Sequence, residues 1–221
     1  MELWFLLFSI IIVFIFWQKR RIPREITERF EDNNVTKLLN KLPNNCIVLH
    51  DIYIPKKNGS AARIAHVVIN QNGLFVIETK NYNGVIIGSE SSEYWTQMVA
   101  GHQEHFYNPI LQNNLRIKEL QYYLRDALYN IPVHSVIVFG RRSLLKLEKP
   151  IKKAKVVRRS KLAWVLQHEA KDVFVYYNDR KAIKDLLSSP FLEKNIKRRR
   201  NQYQLITDIN QYKSRNKKSS M

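Results

Sequence analysis

An α/β fold, an α+β sandwich around one central mixed sheet, is what the order of apolar patterns along the chain predicts, on three observations. Two strand-forming runs flank a turn signal in "RIAHVVINQNGLFVIETK" at 63–80, the pattern of a β-hairpin. An amphipathic helix then carries Ile110, Ile117, Leu120, Leu124 and Leu128 on one side and leads into the apolar strand "VHSVIVFG". Finally, the elements do not alternate strand and helix regularly enough for a doubly wound sheet or a barrel, so strands and helices must share one sandwich.

The elements follow in order. Residues 3–17, "LWFLLFSIIIVFIFW", hold no charge and a single polar side chain, Ser9. As a helix this run rises about 22 Å against a hydrocarbon core of about 30 Å, so local thinning and the interfacial rings of Trp4 and Trp17 must close the gap. Glu2 at the start and Phe16-Trp17 before "QKRR" do not suit a cleaved signal peptide. The reading is a single transmembrane anchor over 1–21, in the cell membrane. Lys19, Arg20 and Arg21 place the short N-terminus outside and the rest of the chain in the cytoplasm.

After Pro23, apolar residues from Ile26 to Leu42 at helical spacing predict a helix that Pro43 stops. "CIVLHDIYIP" reads as a first strand, "KKNGSA" as a turn, and the hairpin supplies the next two strands. "NYNGVIIGSESSEYW" reads as a short hairpin or loop. Past the strand at 133–140, a strand is expected near "AKVVRR", helices near 160–169 and 179–188, and a basic tail from about residue 193. The organisation is thus an anchor at 1–21, a core at 22–140, a strand-and-helix extension at 141–192 and a basic tail at 193–221.

Composition narrows the function. The chain has 221 residues and a net charge of +18. Residues 1–140 hold 14 Lys and Arg against 12 Asp and Glu; residues 141–221 hold 23 against 7. A field concentrated in the last third attracts polyanions, meaning nucleic acid or, beside the anchor, anionic lipid. With six glycines and neither GxxxxGK[ST] nor GxGxxG, the chain is not built for nucleoside triphosphates or dinucleotides. Its single cysteine, Cys46, excludes an internal disulfide and reads as a buried inert thiol. His102 and His105 in "GHQEHF" lack HExxH spacing and a third zinc ligand.

The third strand ends in Glu78-Thr79-Lys80, and side chains two apart on a strand share a face. A carboxylate beside an ammonium suits a solvated ion pair, and it also suits a metal site. These residues, with "RIAHVVINQNGLFVIETKNYNG", then Trp95, then "NPILQNN", resemble the NERD (nuclease-related) domain family, which belongs to the PD-(D/E)XK nuclease-like superfamily with an αβββαβ core. The resemblance covers about residues 25–140. It implies a Mg²⁺-dependent (or Mn²⁺-dependent) hydrolase of nucleic-acid phosphodiesters, DNA or RNA. Glu78 would ligate metal, Lys80 would assist the attacking water, Gln112 would contact metal-bound water or phosphate, and Asp32 would supply an outer carboxylate.

The chain departs from the family at one position. Where the family reads Ile-Asp-His before its apolar run, this chain reads Ile64-Ala65-His66. Alanine offers no oxygen ligand, so the expected metal affinity is weak and the expected hydrolysis impaired or absent. The alternative is a non-catalytic, membrane-tethered module that binds nucleic acid or acts as a scaffold. His66, on the opposite strand face from Ala65 by simple alternation, is expected to be packed or hydrogen-bonded, and Trp95 to be a packing residue.

Overall fold

The structure is a computed structural model, and it describes residues 24–56, 61–128, 131–169 and 174–188. The apolar run at 3–17 and the basic tail at 193–221 lie outside these residues. Among the described residues no helix is long and apolar enough to cross a membrane.

The chain forms helix α1 (Arg24–Leu39) and strands β1 (Ile47–Pro55), β2 (Ala61–Asn70) and β3 (Gly73–Lys80), followed by β4 (Gly84–Gly88), β5 (Tyr94–Val99) and β6 (His102–Tyr107). Then come helix α2 (Pro109–Leu124), strands β7 (Val133–Phe139), β8 (Ser143–Leu147) and β9 (Lys155–Arg158), and helices α3 (Leu162–His168) and α4 (Tyr177–Leu187). The central sheet has five strands in the order β1-β2-β3-β7-β9. β1, β2 and β3 pair antiparallel, whereas β3, β7 and β9 run parallel. The expected mixed sheet and its helix–hairpin–helix–strand order are present.

The short hairpin or loop expected at 81–95 is the start of the antiparallel β4–β5 hairpin, and it extends into a second sheet, β6-β5-β4-β8. Its β5–β6 hairpin turns at Ala100-Gly101, where both residues have positive φ (49° and 81°), the geometry that lets two strands meet through a two-residue turn. Residues 143–169 and 174–187 are built into the same body: β8 pairs with β4, β9 pairs with β7, and Ile183 and Leu187 of α4 join the core.

Two helical layers cover the central sheet. Val35 and Leu39 of α1 and Leu162, Val165 and Leu166 of α3 pack on Val68, Phe75, Ile77, Val136 and Val138. Ile117, Leu120 and Leu124 of α2 pack on the other face against Val67, Ile69, Leu74 and Val76. Burying each such side chain contributes about 1.5–3 kcal/mol.

The seating of α2 decides what it can offer. Asn108 caps its first turn by accepting from the Ile110 N–H at 2.9 Å, and Pro109 needs no donor partner at the first helical position. Asn113, fully buried, donates to the Val76 carbonyl and to Ser135 Oγ, both at 2.9 Å. Asn113 therefore pins the helix to β3 and β7, while Asn108 fixes its start by donating to the Ser92 carbonyl at 2.7 Å.

Candidate active site

The sheet carries a defect near its edge. Between the pairs His50–His66 and Ile52–Ile64 the ladder skips Asp51 and Ala65, and Asp51 sits at φ 51°, a left-handed conformation that aspartate tolerates better than most residues. Regular alternation would place Ile64 with His66 and Val68. Instead Ile64 joins Val67 and Ile69 in one apolar cluster. The alternation thus breaks at 65–66, and Arg63 bonds to Asp32 of α1.

The result is a cavity of about 790 Å³ that is lined by Asp32, Asp51, Arg63, Ala65, His66, Glu78, Lys80, Gln112 and Arg116 among others. All four candidate polar residues, Glu78, Lys80, Gln112 and Asp32, come together here with Ala65. His66 lines the same cavity, so the expectation that it faces away from Ala65 does not hold; the broken alternation is the reason. Trp95 is fully buried against Phe106 and Phe139. His102 and His105 stand on the second sheet, outside the cavity, with His105 hydrogen-bonded to Thr96. Cys46 is half-buried near the other end of the hairpin.

Two charge clusters fill the site. Glu78, 6% exposed, pairs through Oε1 with Lys80 Nζ at 3.0 Å and through Oε2 with the Arg116 guanidinium. Burial alone would push the Glu78 carboxyl up, but the two cations outweigh it and hold it below its ordinary value. Arg63 bridges the other two carboxylates, reaching Asp32 at 3.0 Å and Asp51 at 2.6 Å. Asp32 also accepts from the Thr79 hydroxyl. Burial pushes the Asp32 carboxyl up despite Arg63.

Behind them lies a histidine pair. His50 Nε2 donates to Asn40 Oδ1 at 3.0 Å, which makes His50 Nδ1 the acceptor of the Nδ1–H of His66 at 2.9 Å. This leaves His66 Nε2 buried without a partner among the described residues. Burial, His50 and Arg63 lower the His66 pKa to about 4, so the ring is neutral at pH 7.

A divalent cation does not fit this donor set. Each oxygen of Glu78 already faces a cation, and Ala65 supplies no ligand. Among the described residues no group of three or more His, Cys, Asp and Glu side chains is placed to hold a metal ion. What the cavity does present is three cations, Lys80, Arg63 and Arg116, each paired with a carboxylate of the cavity, and the Gln112 amide beside them. Such groups bind phosphate oxygens, and arginine does so with two donors at once.

Asp51, Arg63 and Arg116 were not picked out from the sequence. Arg116 had a signal: it lies one helical turn beyond Gln112, so the two share a face. Asp51 had a weaker one: it is a residue of poor strand propensity inside a strand pattern.

Comparison with known proteins bears on this geometry. The model of the nuclease-related domain matches residues 27–140. An uncharacterized protein of Bacillus anthracis is 37% identical over 113 residues, 51% of this chain and 52% of that protein. The chain thus spans about half the length of the curated relative it matches. No solved structure matches it.

Proposed function

The chain belongs to the nuclease-related domain family, and from that premise we propose a membrane-anchored protein that engages nucleic-acid phosphodiesters at the Glu78–Lys80 cavity, with metal-dependent hydrolysis impaired by Ala65. One observation carries the reading: both oxygens of Glu78 are neutralised by Lys80 and Arg116, while the position beside it on the neighbouring strand, Ala65, offers only a methyl group. Extending the His66–Ile77 register by one step sets residue 65 beside Glu78. A carboxylate there would repel Glu78, compete for the two cations and open oxygen donors to an ion.

The uncharged run at 3–17 supports the anchor, and the excess of Lys and Arg after residue 140 supports a polyanionic partner. The alternative, a non-catalytic tethered binding or scaffolding module, is favoured by the balance of three carboxylates against three cations in the cavity.

Cleavage assays on DNA and RNA with Mg²⁺ and Mn²⁺ test the proposal. The unmodified chain should give little or no product, and Ala65→Asp, checked for folding by circular dichroism, should give metal-dependent cleavage. Glu78→Gln or Lys80→Ala added to that variant should remove the gain. Robust cleavage by the unmodified chain would refute the role given to Ala65. A folded Ala65→Asp that cuts nothing would shift the weight to the binding module.

A further inference from the structure

The cations outside the cavity are arranged as deliberately as those inside it. The three parallel strands end on one row: Lys80 pairs with Phe139, and Phe139 with Arg158. Adjacent strands lie about 4.8 Å apart, so the Arg158 backbone is only about 10 Å from that of Lys80. The turn after β7 carries Arg141 and Arg142 to the same row, since the Gly140 N–H donates to the Lys80 carbonyl at 3.1 Å and the Gly84 N–H to the Arg142 carbonyl at 3.0 Å. Both arginines are exposed, as are Arg158 and Lys161. None of these four forms an ion pair with a described residue, whereas every cavity cation does.

Past Arg158 the chain turns through residues 159–161 into α3, which runs back along the sheet and carries an exposed aromatic pair. Leu162, Val165 and Leu166 bury one side of α3 in the core, which turns the other side outward. Trp164 is 58% exposed there and stacks on His168, with ring centroids 4.8 Å apart and planes 13° from parallel. Lys161 precedes Trp164 by three residues, which is one helical turn.

We propose that a single-stranded polynucleotide leaves the cavity across the ends of β3, β7 and β9, its phosphates held by Arg141, Arg142, Arg158 and Lys161 and one of its bases stacked on Trp164. The assignment rests on the reading of the cavity as a phosphodiester site. Exposed unpaired cations recognise the phosphate chain of any nucleic acid, but a flat indole beside them rewards only an unpaired base. A duplex keeps its base faces stacked inside, and a lipid headgroup has no planar face to offer.

The test uses the full-length chain in mild detergent and a fluorescently labelled single strand of about twelve nucleotides, within the site sizes of such proteins, with the same sequence as a duplex for comparison. Replacing Arg158 and Lys161 together by serine should weaken single-strand binding about tenfold and flatten the slope of log affinity against log salt by about 0.7 for each lost contact. Trp164→Ala should weaken single-strand binding about tenfold and leave the duplex unchanged. If the parent chain binds and both variants match it in affinity and slope, the track is wrong and the cavity reading stands. If the parent binds no nucleic acid, the cavity reading falls as well. Equal losses on single strand and duplex with Trp164→Ala would overturn the single-strand assignment. Binding to phosphatidylserine vesicles that falls with the same variants, with no effect on the oligonucleotide, would give the surface to lipid.

Discussion

The two ends of the β2–β3 hairpin bury polar groups in opposite ways. At the turn, Asn70 and Asn72 are 5% and 8% exposed, and every bond their side chains make is to backbone. Asn70 donates to the Leu166 carbonyl at 2.8 Å and accepts from the Asn72 N–H at 2.8 Å, while Asn72 donates to the Gln167 carbonyl at 3.2 Å. Neutral amides there tie the hairpin to α3 and leave little unsatisfied. At the open end Glu78 and Lys80 are equally buried, yet they carry full charges beside a cavity. Buried charge is a poor way to stabilise a fold, since the desolvation cost is close to the Coulombic gain. One end is explained by folding; the other calls for a ligand.

That contrast can be broken by substitution, and the largest effect belongs to Glu78→Ala. It leaves Lys80, 6% exposed, without its carboxylate and should lower stability by about 3–5 kcal/mol in urea unfolding. A loss below about 1 kcal/mol would mean that the pair is solvated and that the open end resembles ordinary surface.

Next comes pH. The His66 pKa is depressed from 6.5 to about 4 in the folded chain, so its contribution to stability is complete above pH 6.5 and is lost as pH falls through about 4. Over that window unfolding free energy should drop by roughly 3 kcal/mol. His66→Phe should flatten this limb, leaving the further decline below pH 4.5 that comes from Glu78, whose carboxyl is held down by Lys80 and Arg116 despite its burial. Identical limbs in parent and variant would show that the ring is not desolvated.

The smallest effect is at the turn. Asn70→Ala leaves the Leu166 carbonyl and the Asn72 N–H without partners, which costs about 1–3 kcal/mol. Uptake of Mn²⁺ by the Ala65→Asp chain should not change when Asn70→Ala is added, because nothing at this end faces the cavity. Loss of that uptake in a still-folded chain would erase the distinction between the two ends.

Legibility in the sequence divides along similar lines. The hairpin, the α2 amphipathic stripe and the β7 strand were readable because apolar periodicity and the "QNG" turn act locally. So were Glu78 and Lys80 as neighbours, since strand spacing alone puts them on one face. Of the second sheet only a short hairpin or loop at 81–95 was legible: β4 and β8 are five residues each and pair across more than fifty positions of chain, and short strands leave little pattern to read. Asp51 and Arg63 were missed because the skipped ladder step reverses the alternation on which any assignment of faces depends. The joining of residues 143–169 and 174–187 to the core likewise follows from strand partners far away in sequence.

The central claim is that Ala65, with Lys80 and Arg116 on Glu78, leaves the cavity a site for anions and not for a divalent cation. Titration of the full-length chain with Mn²⁺, followed by loss of the free-ion paramagnetic resonance signal, tests it directly. The account predicts no stoichiometric uptake by the unmodified chain and uptake of one equivalent by Ala65→Asp. One equivalent held by the unmodified chain and released by Glu78→Gln would contradict it.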